Sequence, residues 1–251
     1  MMHWEDECVV LGATKYSESA AIVCLFSRTH GIIRSIAQGG AGRKQRGVYQ
    51  VGNIVQGRWS ARLSEHMGNV QVEMVMPVAA FAMNSSLGLT ALHSMTSLLR
   101  LAVLENDPHP LIYDHTHHLL GRIARDPSAE WLSDYARFEL TLLQEAGYGL
   151  DLSTCVSTGV SESLCYVSPK SGRAVSESAG RAYHAKMLPL PAFLLGESMV
   201  NETVKTAEIL DALRMSGYFL EHWMLMPTGK QMPVARERLV VLVSQVLATE
   251  A

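Results

Sequence analysis

The hydrophobic pattern of this chain changes period once, near residue 80, and that change constrains the fold more than any other feature. Before it, apolar residues alternate with polar ones or form short runs between glycine-containing and polar breaks. That is the pattern of strands, whose side chains change face at every residue. After it, Leu92, Met95, Leu99 and Ala102 recur along one face of a helix. A chain of 251 residues accommodates one large domain or two modest ones, and the switch predicts two: a β domain over 1–80 and a helical one over 81–251.

Five strands are predicted in the first part. Cys8–Leu11 is the first, Ala20–Phe26 reads as buried on both faces, and Ile32–Ala37 follows the turn Arg28-Thr29-His30-Gly31. In the fourth, Gln56, Arg58, Ser60 and Arg62 share one face while Val55, Gly57, Trp59, Ala61 and Leu63 share the other. In the fifth, Val70, Val72, Met74 and Met76 alternate with Gln71 and Glu73. Five short strands in about 75 residues suit a Greek-key barrel of the OB architecture. Further helices are expected at about 111–125, 129–146, 204–225 and 234–248, with Pro127-Ser128 and Thr203 as start signals. Residues 148–191 have little periodicity and several Gly and Pro, so they read as an irregular excursion with a short hairpin around Ser168–Gly172. The fold class is α+β, an OB barrel followed by an all-helical domain.

Overall charge is −3, which by itself argues against a polyanionic partner, but the average hides an asymmetry. Between Glu18 and Glu65 there is no acid, and the window carries Arg28, Arg34, Arg43, Lys44, Arg46, Arg58 and Arg62. Cations of one sign in one segment attract polyanions with a strength that fades with salt. Its centre, Gln38 to Gly47, has four glycines in ten residues and three cations at 43–46, so a mobile loop is expected. Trp59 alternates with the arginines and is assigned to the core, which leaves no stacking platform evident.

No apolar run reaches the ~18 residues of a membrane span, and the start of the chain lacks a secretion-signal pattern, so a cytoplasmic location without a membrane partner is expected. Four cysteines, Cys8, Cys24, Cys155 and Cys165, are too few for a disulfide scaffold at this length. Asp114, His115, His117 and His118 are metal-ligand types, but His117 leaves the shared helical face and no second ligand element has the right spacing. Gly39–Lys44 looks like a phosphate cradle, yet Gln45 and then a strand follow where a nucleotide-binding loop needs Ser/Thr and a helix. No nucleophile elbow, dinucleotide fingerprint or carboxylate pair is present, so no catalytic residue, cofactor or metal is expected. A metal-dependent hydrolase built on the histidines remains a third class.

Several segments together resemble the bacterial recombination mediator family RecO. Tyr16–Ala20 before an apolar strand, Gly31, and the basic loop at 39–46 match its N-terminal barrel. Arg137-Phe-Glu-Leu140, Leu142-Leu143, Gly147-Tyr-Gly149 and Cys155 match its helical domain, and Gly229-Lys230 through Arg236-Glu-Arg238 match its basic C-terminal motif. The resemblance implies a non-enzymatic DNA repair mediator of the RecF pathway, associated with the nucleoid during repair. Such a protein binds single- and double-stranded DNA, anneals complementary strands, engages the C-terminal tail of SSB, and with RecR helps load RecA.

On that reading Arg34, Arg43, Lys44, Arg46, Arg58 and Arg62 are expected phosphate contacts, with Lys230, Arg236 and Arg238 as a second patch. Arg137 and Phe138 supply the cation and apolar group an acidic tail ending in an apolar residue requires. Some family members carry a four-cysteine zinc site; here Cys155 matches one ligand while Thr158, Ser176 and Ala179 stand near the others and Cys165 lies off the spacing, so no zinc is expected. The competing reading is an adaptor whose barrel mainly binds protein.

Overall fold

The computed structural model describes residues 2–43, 45–63, 66–126, 128–196 and 204–250. Five strands, β1 (Met2–Lys15), β2 (Ala21–Ser27), β3 (Gly31–Ala37), β4 (Ile54–Ala61) and β5 (Asn69–Met76), close a barrel in the order β1-β2-β3-β5-β4. All neighbours are antiparallel except β3 and β5, which meet in parallel at Ile36 and Asn69. This is the expected OB topology. Its interior is filled by Cys8, Val10, Val23, Leu25, Ile33, Val55, Trp59 and Val70.

β1 is 14 residues long, against the four that hydrophobicity marks. Its first half pairs with β4 and its second with β2, with a bulge between Val10 and Gly12, so one bent strand closes the barrel. The stretch Glu5-Asp6-Glu7 has poor strand propensity. It is held by partners elsewhere: Glu5 pairs with Arg58 at 3.2 Å, Asp6 accepts hydrogen bonds from the β2–β3 turn, and Glu7 lies 3.0 Å from His117.

The glycine that opens β3 answers a steric demand. Gly31 has φ +69°, and a side chain there would run into the backbone of Asp107, whose neighbour Asn106 donates to Ile32 O at 2.9 Å. The chain then enters the basic segment, whose described residues form consecutive turns. Ala41 donates to Ser19 O, Gln45 to Gly42 O and Val48 to Gln45 O, and Asn53 bonds the carbonyls of Gly47 and Val48.

Three helices, α1 (Val78–Ala82), α2 (Ser86–Ala102) and α3 (Pro110–Arg125), complete the first of two compact units, Met1–Pro127. Ser85 caps α2 by accepting from Gly88 N, and Leu92, Met95 and Leu99 on its buried face are fully enclosed. Pro110 opens α3 at a position where its missing N–H costs nothing.

The second unit, Ser128–Ala251, holds α4 (Leu132–Glu145), α5 (Glu177–Gly180), α6 (Thr206–Phe219) and α7 (Val234–Glu250). Thr203, the expected start signal for α6, lies outside the described residues; Lys205 stands at the N-cap. The helix expected over 204–225 changes to π geometry over Leu220–Leu225 and stops at Met226-Pro-Thr-Gly229, where Pro227 cannot donate and Gly229 is left-handed. The excursion carries the expected hairpin, β6 (Leu164–Val167) and β7 (Ala174–Ser176), and adds β8 (Leu188–Pro189) to make a three-stranded sheet. Two residues of β8 are too few to leave a periodic signal.

Candidate nucleic-acid interface

The acid-free window of the sequence is not acid-free in space. Arg28 forms a two-pronged bond to Asp114 of α3 at 2.8 and 2.9 Å. Arg58 bridges Glu5 of β1 and Glu73 of β5 at 3.2 and 3.1 Å. Arg34 on β3 reaches Glu105 only at 4.0 Å, with both side chains about half exposed at 51% and 53%. Arg43, Arg46 and Arg62 are exposed and have no acidic partner among the described residues; Lys44 lies outside those residues. Arg43 and Arg46 sit in the turns between β3 and β4, and Arg62 lies in the connection after β4.

All of these pairs are half exposed or more. An exposed pair contributes little to stability because water already screens it, so exchanging a carboxylate for a phosphate costs little. The hydrogen bond from Arg28 is the main reason the Asp114 carboxyl lies below the ordinary range. The histidines flanking Asp114 are engaged differently from a metal set: His117 faces Glu7 and stacks on Tyr113.

A feature absent from the sequence reading lies beside Arg34. The rings of Trp4 and Trp59, paired across β1 and β4, stack at 5.7 Å and 12°, and His30 stacks on Trp4 at 4.3 Å and 17°. Trp59 is 7% exposed and belongs to the core as expected, yet it also lines this cleft. Strand alternation showed which way Trp59 points; it could not show that Trp4, in a stretch of acids, pairs with it.

The His30 ring is fixed by a small polar network. The hydroxyls of Ser27 and Thr29 both donate to Asp6, which leaves their oxygens as acceptors for a proton on His30 Nδ1, at 3.3 and 2.8 Å. Burial alone would raise the Asp6 carboxyl, but these hydroxyls and the amides of Thr29 and Glu7 bring it below its ordinary value. Ser, His and Asp thus meet without forming a nucleophile relay, since Ser27 is fully buried and its hydroxyl points to the carboxylate.

In the second unit the structure corrects two expectations. Arg236 is 4% exposed and cannot contact DNA: it forms a two-pronged bond to the fully buried Glu139 at 2.7 and 2.9 Å and also donates to Leu213 O. Ser216 completes the pair by donating to Glu139. Arg238 is exposed, as is Lys230 behind the Gly229 turn. Phe138 has no exposure at all, so it cannot receive a partner's tail; amphipathic packing turns it into the core against Tyr135. Arg137 is 37% exposed, bonding Phe193 O at 3.0 Å and lying 5.3 Å over its ring.

At the positions that the resemblance marks for a zinc site, a hydrogen-bond cluster is found. Cys155, 1% exposed, accepts from Ser176 N and Oγ at 3.2 and 3.4 Å. Burial pushes its thiol up, but these bonds, with others from Thr158 and the Ser157 amide, more than offset it and bring the group down to about 6. Among the described residues, no group of three or more His, Cys, Asp or Glu is placed to hold a metal ion.

Two family models match the chain in sequence order. Recombination protein O N terminal covers residues 1–78 and Recombination protein O C terminal covers residues 84–231. Among similar proteins, one of Rhodospirillum rubrum is 39% identical over 243 residues, covering 96% of each chain. One of Mesorhizobium japonicum is 41% identical over 235 residues, covering 94% of this chain and 91% of its own. One of Methylocella silvestris is 40% identical over 235 residues, covering 94% and 93%. All three are named DNA repair protein RecO. No helix among the described residues is long and apolar enough to cross a membrane. With a closed five-stranded barrel followed by helices, both family models in order and relatives matching along nearly their whole length, the chain belongs to the RecO family of DNA repair and recombination proteins.

Proposed function

We propose that this protein is a non-catalytic mediator of recombinational repair that binds single- and double-stranded DNA through its barrel and anneals complementary strands. The observation that carries the reading is the set of exposed cations on the barrel and its connections without acidic partners among the described residues, Arg43, Arg46 and Arg62, together with the weakly paired Arg34. Neutralising phosphates on two strands lowers their repulsion and raises their local concentration, so annealing needs no catalytic group. Arg58 joins the grip by exchanging Glu5 or Glu73 for phosphate, Lys44 extends it, and Lys230 and Arg238 form a second patch. In the cell the protein acts at the nucleoid in the RecF pathway, working with RecR to load RecA on SSB-coated single strands. The partly exposed Arg137 is the rim cation for the acidic SSB tail.

Anisotropy titration of labelled single-stranded DNA at several salt concentrations tests this. Each phosphate contact adds about −0.7 to the log-log salt slope on a single strand. Arg43→Glu/Lys44→Glu/Arg46→Glu is expected to weaken binding uniformly across sequences and flatten the slope by about 2 if all three cations touch phosphate. A wild-type slope near zero favours the adaptor reading instead. Titration of the SSB tail peptide against Arg137→Glu tests the rim: unchanged affinity places the tail elsewhere.

A further inference from the structure

We propose that the cleft beside the Trp59–Trp4–His30 ladder is a stacking site for an unpaired nucleobase of single-stranded DNA. The inference rests on the DNA-binding reading above and adds to it a way to tell a single strand from a duplex.

The cleft encloses about 690 Å³ where the start of β1, the β2–β3 turn, the β4–β5 connection and the segment after α2 converge. That volume falls within the ~300–1,000 Å³ typical of small-molecule pockets, enough for one nucleotide. Its lining joins the three stacked rings to Arg34 and Asn106. Trp4 is stacked between Trp59 and His30, so the partly exposed His30 ring at the end of the ladder, backed by the two tryptophans, offers the face on which a base stacks; every base has a π face and stacking is tolerant of sequence. Arg34 supplies the charge for the phosphate that accompanies it, and the exposed Asn106 amide offers both a donor and an acceptor to a base edge.

The cleft is also prepared for exchange. Glu105 is the only acid among the described residues lining it, and it holds Arg34 at the limit of an ion pair, 4.0 Å, with both groups in solvent. A phosphate replaces it at small cost. The ladder itself is rigid: Trp59 donates its indole N–H to Met67 O at 3.1 Å, and the Asp6, Ser27 and Thr29 network orients His30. Preformed rings spare the entropy of ordering side chains on binding. A duplex hides its base faces in its own stack, so this contact is open only to an unpaired strand.

The test uses the full chain, an oligothymidylate, and an abasic strand of equal length that keeps every phosphate. Anisotropy gives affinity, and tryptophan fluorescence reports contact with the ladder. The expected result is that the thymidylate binds tighter by roughly 5- to 150-fold, the range for one stacked base, and quenches fluorescence while the abasic strand does not. Trp4→Ala is expected to bring the thymidylate down to the abasic affinity, leaving duplex binding and the salt slope unchanged, and Trp4→Phe to restore much of the difference. Glu105→Gln is expected to tighten single-strand binding by freeing Arg34.

Equal affinity for the two strands, with a normal salt slope, overturns the stacking site while the phosphate grip stands. The strand comparison is made on wild type, so it decides the matter even where Trp4→Ala fails to fold. A difference that persists in a folded Trp4→Ala protein places stacking elsewhere and also overturns the proposal. An acidic peptide ending in phenylalanine that quenches the tryptophans and displaces DNA makes the cleft a protein-docking site instead. Absence of any salt-dependent DNA binding removes the reading on which the inference rests.

Discussion

Two arginines in this protein, Arg58 on the barrel and Arg236 in the helical unit, both belong to basic stretches of the sequence and both pair with glutamate, yet their surroundings give them opposite work. Arg58 is half exposed and shared between Glu5 and Glu73, so solvent competes for each of its bonds and a phosphate can take their place. Arg236 is 4% exposed, its guanidinium divided between Glu139 and the Leu213 carbonyl, with Gly217 leaving room for it. Burial makes the same pair a fixture of the fold: once two charges are out of water, removing one strands the other. A cation in a motif therefore reports a partner surface only when the tertiary structure leaves it in solvent.

The largest effect should come from the buried pair. Arg236→Ala or Glu139→Ala is expected to destabilise the protein by about 3–5 kcal/mol, measured by denaturant unfolding. A double replacement by apolar residues of similar volume is expected to recover much of the loss, because the penalty is a stranded charge and not the pair's net worth. Losses that simply add in the double variant break the comparison.

An intermediate effect is expected at Asp6, which is on the barrel but only partly exposed. Asp6→Asn leaves the Ser27 and Thr29 hydroxyls a weaker acceptor and should cost about 1–2 kcal/mol at neutral pH. The folded carboxyl lies below its unfolded value, so its stabilisation is complete above about pH 4 and is lost as pH falls through the folded value. Wild type and Asp6→Asn should therefore converge in stability on acidification; parallel curves would show that the carboxylate charge is not what holds the turn.

The smallest effect on stability is expected for Arg58→Ala, with no resolvable shift in Tm, because both its pairs are exposed. Its DNA-binding counterpart sharpens the contrast: Glu5→Gln/Glu73→Gln should tighten DNA binding by releasing Arg58, whereas Arg238→Ala should weaken it only through the second patch. A clear loss of Tm in Arg58→Ala would mean that the barrel's surface pairs are structural too.

Strands β2 to β5 and the long helices were legible because burying one face leaves a period of two or 3.6 in the residues themselves. The first half of β1 was not, because Glu5, Asp6 and Glu7 are strand residues by pairing in register with Arg58, Gly57 and Gln56 of β4, which lie far along the chain. The same distance hid the ladder of Trp4, Trp59 and His30 and the true role of Arg137-Phe-Glu-Leu140 and Arg236-Glu-Arg238, whose Glu139 and Arg236 pair across 97 residues. The basic loop was plain to see; that Arg28 and Arg58 meet carboxylates while Arg43, Arg46 and Arg62 have none among the described residues was invisible.

Taken alone, the residue order determined strands β2 to β5 and the long helices, the barrel followed by helices, the cationic segment and the family, because each is a local or cumulative property of the chain. Which cations face solvent, which rings meet and which charges are sealed in the interior were decided only by tertiary structure, because pairing across the barrel and between helices is what removes a side chain from water.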